Sequence, residues 1–265
     1  MHLHITEPNP PRLSSNDDFH LFNVPKDYEY PEDISDYFSL SATSNTLLGR
    51  NRAGLNEASC PMILKRLRHP LVLAEVTVSV EFQQLNFDQA GIVVFADSFP
   101  GISQPRSTSL FRAGTFDPQP MQGSSGFAKV AFEFCAGELA ITTLVSRPNC
   151  GADWASTPAT PYFETNYIEA TSMPSIRLKL ERVNNDLWVW FLVPDLDTSV
   201  QFAPSPDAIR RQWRKCREVA DFFDRSTSKG CWVGCYASRP LESERADVDP
   251  LDDALFAEFE DLVIM

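Results

Sequence analysis

The chain has 265 residues and a formal net charge of −13. That balance argues against binding a nucleic-acid backbone, which needs a basic surface to displace counterions, and it disfavours anionic membrane surfaces. The length suits one sandwich domain with a sizeable core, and no apolar run approaches the roughly 18–20 residues that cross a bilayer.

In chain order, residues 1–36 form a polar lead segment rich in Pro, Asp, Glu and His. It lacks a sustained period and is expected to lie against the domain or to be partly unstructured. Its start, MHLHITEPNPPRL, has neither a basic n-region nor an apolar h-region, so a cytoplasmic protein is expected. His2 and His4 make a His-x-His without a third ligand, and no metal or other cofactor is assigned. Cys60, Cys135, Cys150, Cys216, Cys231 and Cys235 show no CxxC pairing or His partners at zinc spacing and read as free thiols.

The sequence then turns to period two. In AEVTVSVEF, Val76, Val78, Val80 and Phe82 alternate with polar residues, as in a half-buried antiparallel strand. NFDQAGIVVF (86–95) is an apolar strand opening on Asp88 and Gln89. Alternation sends Asp88 to one face with Ala90 and Ile92, and Gln89 to the other with Gly91 and Val93. Asp88 there suits a turn that bonds nearby backbone amides; Gln89, beside a glycine that lets ligand or backbone approach, suits a contact on a concave face. After a long insert over 99–126, FAKVAFEF sets Lys129 and Glu133 on one face with Ala131 between them. They form either a surface ion pair or, if the insert closes over them, a partly desolvated pair with shifted pKa values.

LAITTLV is a further strand, and NCGADWAS places Asp153 and Trp154 after a glycine turn, where a loop aims an acid and an aromatic at a cleft. SIRLKLER and LWVWFLV flank VNND as a hairpin; Trp188 and Trp190 share one of its faces, as core packing or as stacking platforms. Ile209, Trp213, Cys216, Ala220 and Phe223 recur at helical spacing after Pro206-Asp207, predicting a helix near 206–225. CWVGCYA and LFAEFEDLVI are the last strands, separated by an acidic stretch without EF-hand spacing. Many short strands in succession indicate an all-β sandwich.

No GxSxG, P-loop, GxGxxG or HExxH occurs, and the four histidines are placed poorly for a triad. Ordinary glycoside hydrolysis needs paired carboxylates at alternate positions inside a sheet, and the nearest candidates, ESE and EFED, lie in the acidic tail or its last strand, so that chemistry is disfavoured.

The ordered series FDQAGIVVF, KVAFEFCAGELAITTLVSRP, GADWASTP, SIRLKLERVNNDLWVWF, CWVGCYASRP and LFAEFEDLVI resembles the regulation-of-enolase-type family, in its fungal branch. The resemblance covers residues 37–265 as one domain. It implies a concanavalin A-like jelly-roll sandwich of two curved antiparallel sheets, one concave. The family's pattern maps onto Asp88, Gln89, Lys129, Glu133, Asp153 and Trp154. On these residues the expected function is a small-molecule enzyme of secondary metabolism that binds an apolar or aromatic intermediate. It would promote a metal-free, non-redox cyclisation or hetero-Diels–Alder-type cycloaddition. Lys129, Glu133 and Asp153 are the candidate catalytic residues; Gln89, Trp154, Trp188 and Trp190 are candidates for substrate binding. The partner is a small organic ligand, with no nucleic acid and no membrane, and the oligomeric state is open. A lectin-like carbohydrate binder and a non-catalytic scaffold are the alternatives.

Overall fold

The computed structural model describes residues 19–25, 27–29, 31–50, 56–83, 85–96, 126–147, 151–160, 173–193, 213–223, 230–241 and 253–265. The strands are β1 (Phe19–Phe22), β2 (Tyr37–Ala42), β3 (Leu48–Arg50), β4 (Asn56–Ala58), β5 (Met62–Leu67), β6 (Leu73–Glu81), β7 (Gln89–Phe95) and β8 (Phe127–Cys135). They continue as β9 (Glu138–Ser146), β10 (Ala152–Pro158), β11 (Ser175–Val183), β12 (Asp186–Leu192), β13 (Trp213–Val219), β14 (Cys231–Ser238) and β15 (Leu255–Ile264). Two antiparallel sheets build a jelly-roll sandwich: seven strands in the order β1-β5-β14-β7-β8-β9-β10, and six in the order β13-β12-β11-β6-β15-β2. The short β3–β4 hairpin stands apart from both sheets. Of the lead segment expected over 1–36, Phe19–Phe22 supplies the edge strand β1, paired with β5, and Ile34 is buried in the core.

The two sheets bury different patterns, for a physical reason. In β6, β11 and β12 buried residues alternate with half-exposed ones, because one face packs inward and the other meets water. In β7 and β14 every residue is buried, and in β8 all but the last. The inner face of the seven-stranded sheet, with Ile92, Val130 and Val233, joins the six-stranded sheet in the main core. Its outer face carries a second apolar cluster that includes Met62, Val93, Phe127 and Tyr236, with Leu48 of β3 packed onto it. A sheet covered on both faces therefore reads as an unbroken apolar run, as 90–95 does after Gln89.

Gly91 owes its place to this sheet. A Cβ there would run into the Val130 carbonyl oxygen of the neighbouring strand, so it is backbone that approaches this glycine. Gly91→Ala is expected to cost about 1–3 kcal/mol by overpacking, read as a lower midpoint in urea unfolding; an unchanged midpoint would refute the close approach.

The predicted hairpin is present, with Asn184 at φ 59° in the two-residue turn between β11 and β12. The helix predicted near 206–225 is not: Trp213–Val219 is the strand β13, paired with β12. A register shift falls between Val189 and Trp190, and their partners Arg217 and Lys215 leave Cys216 as an extra residue. That bulge breaks strict alternation within WRKCREV, so the strand's period of two is not legible there. Residues 206–212, 224 and 225 of the predicted helix and 99–125 of the insert lie outside the described residues, as do His2, His4 and Cys150.

Candidate functional site

On the outer face of the seven-stranded sheet, register sets residues side by side in rows. One row runs Val93, Lys129, Leu144, Trp154; the next runs Tyr236, Gly91, Ala131, Thr142; the third runs Ser238, Gln89, Glu133, Ala140. Lys129 and Glu133 thus share a face, as the alternation predicts, and Gln89 stands directly opposite Glu133. All three are buried, together with Thr142 and Tyr236.

Each polar group has a defined partner. Lys129 Nζ donates to the Leu48 carbonyl at 2.5 Å and to Gln89 Oε1 at 2.6 Å. Tyr236 Oη donates to the same Gln89 oxygen at 2.9 Å, while Gln89 Nε2 donates to the Phe87 carbonyl at 3.1 Å. Thr142 Oγ1 donates to Glu133 Oε2. Lys129 Nζ also sits 5.3 Å from the centre of the Tyr236 ring. The lysine side chain therefore runs from its own row toward the row of Gln89 and Glu133. The expected ion pair is not formed: among the described residues no carboxylate lies within ion-pair distance of Lys129.

Burial moves both charged groups toward neutrality. It pushes the Lys129 amine down to about 8, against the opposing charge of Glu133 and the nearby Cys60. It pushes the Glu133 carboxyl up, against the Thr142 hydrogen bond and the Lys129 charge. Burial likewise drives the Tyr236 phenol well above 10, so it stays a proton donor. An amine and a carboxyl drawn toward each other's range, in apolar surroundings, can bind an organic oxygen and exchange protons with it.

The other predicted residues divide. Trp154 lies on this outer face in register with Leu144 and is half exposed, at 49%. It belongs to the strand β10, not to a loop, as does Asp153. Asp153 pairs across the sheet with Val145, a core residue, so it faces the opposite way from Trp154 and makes an ion pair with Arg217 of β13. Trp188 and Trp190 sit on β12 opposite the core residues Leu187, Val189 and Phe191, hence on the outer face of the other sheet. There Lys215 lies 3.9 Å from the Trp188 ring, and Lys179 lies 5.2 Å from Trp190. The structure thus joins Gln89, Lys129, Glu133 and Trp154 on one face and separates Asp153, Trp188 and Trp190 from them.

Asp88 is fully buried and forms an ion pair with Arg239, rather than bonding turn amides through its side chain. Sequence reasoning missed Arg239, Tyr236 and Thr142. The alternation in CWVGCYA, which puts Trp232, Gly234 and Tyr236 on one face, could have flagged Tyr236; nothing local marks Leu48, whose backbone oxygen is the contact. Among the described residues no group of three or more His, Cys, Asp or Glu is placed to hold a metal ion.

Fold and site together define an all-β jelly-roll sandwich of two antiparallel sheets, with a buried polar cluster on the outer face of the seven-stranded one. The chain belongs to the family described as "Protein of unknown function (DUF1349)", whose model matches residues 23–262. Among solved structures it is similar to a functionally unknown protein from Saccharomyces cerevisiae, at 15% identity and TM-score 0.56 over 95% of this chain and 98% of that one. It is also similar to a legume lectin-like domain from Entamoeba histolytica (10% identity, TM-score 0.43, 88% of this chain and 90% of that one). A glycoside hydrolase family 16 endo-glucanase from Bacteroides ovatus is similar at 9% identity and TM-score 0.38, over 88% of this chain and 96% of that one. No curated protein matches the sequence.

Proposed function

We propose that the protein is a small-molecule enzyme that binds an apolar or aromatic organic intermediate on the outer face of the seven-stranded sheet. There it promotes a metal-free, non-redox cyclisation or cycloaddition, with a kinship to the regulation-of-enolase type. The observation that carries the reading is the burial of Gln89, Lys129, Glu133, Thr142 and Tyr236 on a sheet face beside Val93, Phe127 and Trp232. Burying a lysine and a glutamate without an ion pair is costly to the fold, and such cost is characteristic of sites where proton affinity is tuned. Lys129 and Tyr236 supply donors that polarise a substrate oxygen, and Glu133 carries a proton. Orientation against a rigid sheet supplies further rate acceleration, up to roughly 7–11 kcal/mol in favourable cases.

A panel of aromatic carbonyl compounds, apolar hydrocarbons and saccharides, with and without calcium, tests the reading by thermal shift. Aromatic compounds are expected to raise the melting temperature, and Trp154→Ala to weaken that rise several-fold, since it deletes apolar contact at the half-exposed end of the Lys129 row. A stabilising response to saccharides alone would overturn the proposal in favour of a lectin-like protein.

A further inference from the structure

Among the described residues two cations are buried, Lys129 and Arg239, and the fold treats them differently. Arg239 is matched with countercharge: its guanidinium bonds both carboxylate oxygens of Asp88, at 3.1 and 2.8 Å, and reaches Asp253 Oδ1 at 3.5 Å. Among the described residues the hydrogen-bond acceptors of Lys129 are neutral, the Leu48 carbonyl and the Gln89 amide oxygen, with the Tyr236 ring beside it. A buried cation whose task is structural is paired, as Arg239 is. An amine held by neutral oxygens in apolar surroundings gives up its proton readily and becomes a nucleophile.

We propose that the substrate class of this site is an aldehyde or ketone, captured as an imine on Lys129. This rests on the reading of the outer face as a small-molecule active site and adds a covalent step to it. The neutral Nζ attacks the carbonyl carbon, a C–N bond forms, and the C=O π electrons move to oxygen. A proton passes from nitrogen to that oxygen, giving a carbinolamine. Glu133 takes the remaining proton of nitrogen and returns one to the hydroxyl, which leaves as water as the C=N bond forms. One amine and one carbonyl thus give one imine and one water, with Glu133 unchanged and no oxidant or reductant consumed. The Tyr236 phenol, which donates to the Gln89 oxygen that Lys129 also bonds, is placed to hydrogen-bond the developing oxyanion. The burial that draws the amine down to about 8 leaves a useful fraction neutral near physiological pH, unlike an exposed lysine near 10.4.

The experiment is reductive trapping. The full chain is incubated with benzaldehyde or acetophenone and sodium cyanoborohydride, then examined by intact mass and peptide mapping. The expected result is one adduct, a mass gain equal to the probe less its oxygen, located on Lys129. Labelling should be half-maximal near pH 8 and at least tenfold slower in Glu133→Gln. Lys129→Arg keeps the charge and should abolish the adduct; because the variant could fail to fold, the wild-type map is decisive by itself. Adducts confined to surface lysines such as Lys65 or Lys215, while these probes still raise the melting temperature, would overturn the imine and leave the underlying reading standing. Absence of both the adduct and any thermal response to apolar ligands would overturn the two together.

Discussion

Arg239→Ala is expected to lower the stability of the protein by about 3–5 kcal/mol, a large fraction of what a domain has to lose. Arg239 and Asp88 are both fully buried. The guanidinium also donates to Gln83 Oε1 at 3.2 Å and to the Asp253 carbonyl. It thereby ties the end of β14, the turn before β7 and the segment before β15 together. Deleting it leaves Asp88 as a buried carboxylate with no partner charge. The pH dependence identifies this cause. Burial already pushes the Asp88 carboxyl up, and the hydrogen bonds and charge of Arg239 pull it partly back. A carboxyl whose folded pKa is raised is favourable below its unfolded pKa and loses that stability as pH climbs through the folded pKa. Without Arg239 the folded value rises further, so the variant goes on losing stability with rising pH after the parent has stopped, and it falls away from the parent above the parent's own folded value. Urea unfolding at pH 4 and pH 7 reads this directly, with a larger deficit at pH 7. A deficit equal at both pH values would mean that lost packing, not an orphaned charge, is the cause. Replacing Arg239 and Asp88 together by apolar residues should recover much of the loss, because the cost lies in leaving one partner alone.

Glu133→Gln is expected to reduce turnover by about 10²–10⁴-fold with little change in melting temperature. The amide keeps the shape and can still accept the Thr142 hydroxyl, while the proton carrier is gone. Asp153→Asn is the contrast: its side chain is largely exposed and its ion pair with Arg217 lies at the sandwich edge, so turnover should be unchanged and stability altered by under about 1 kcal/mol. Thr142→Val separates position from protonation. The Thr142 hydrogen bond lowers the Glu133 pKa, so its removal should move the pH–rate limb that reports Glu133 to higher pH. If turnover in Glu133→Gln merely tracked the folded fraction, Glu133 would be a packing residue and the proposed chemistry would fail.

Local pattern was enough to reach the fold class, because a strand that packs one face and wets the other must alternate. SIRLKLER, AEVTVSVEF and the Asn turn before LWVWFLV carry that physics within a few residues, and each lies where alternation puts it. The same period set Lys129 and Glu133 on one face, with Gln89 on the matching face of β7. Periodicity failed at β13, where one bulged residue broke the alternation of an edge strand. It was also silent about which faces meet. Asp153 and Trp154 are neighbours in sequence, yet a strand sends them to opposite sides, one to Arg217 and one to the Lys129 row. Trp188 and Trp190 share a face with each other, but that face belongs to the other sheet.

By itself, then, the sequence determined the secondary structure of most strands, the sandwich, and the common face of Gln89, Lys129 and Glu133, since each depends on a repeat of two along a single stretch. Only the tertiary structure decided that this face is buried, that Lys129 is held by neutral oxygens from Leu48 and Gln89, and that Asp88 is matched by Arg239, 151 residues away. Burial and pairing depend on strand order, and strand order is set by contacts between distant segments that no local period records.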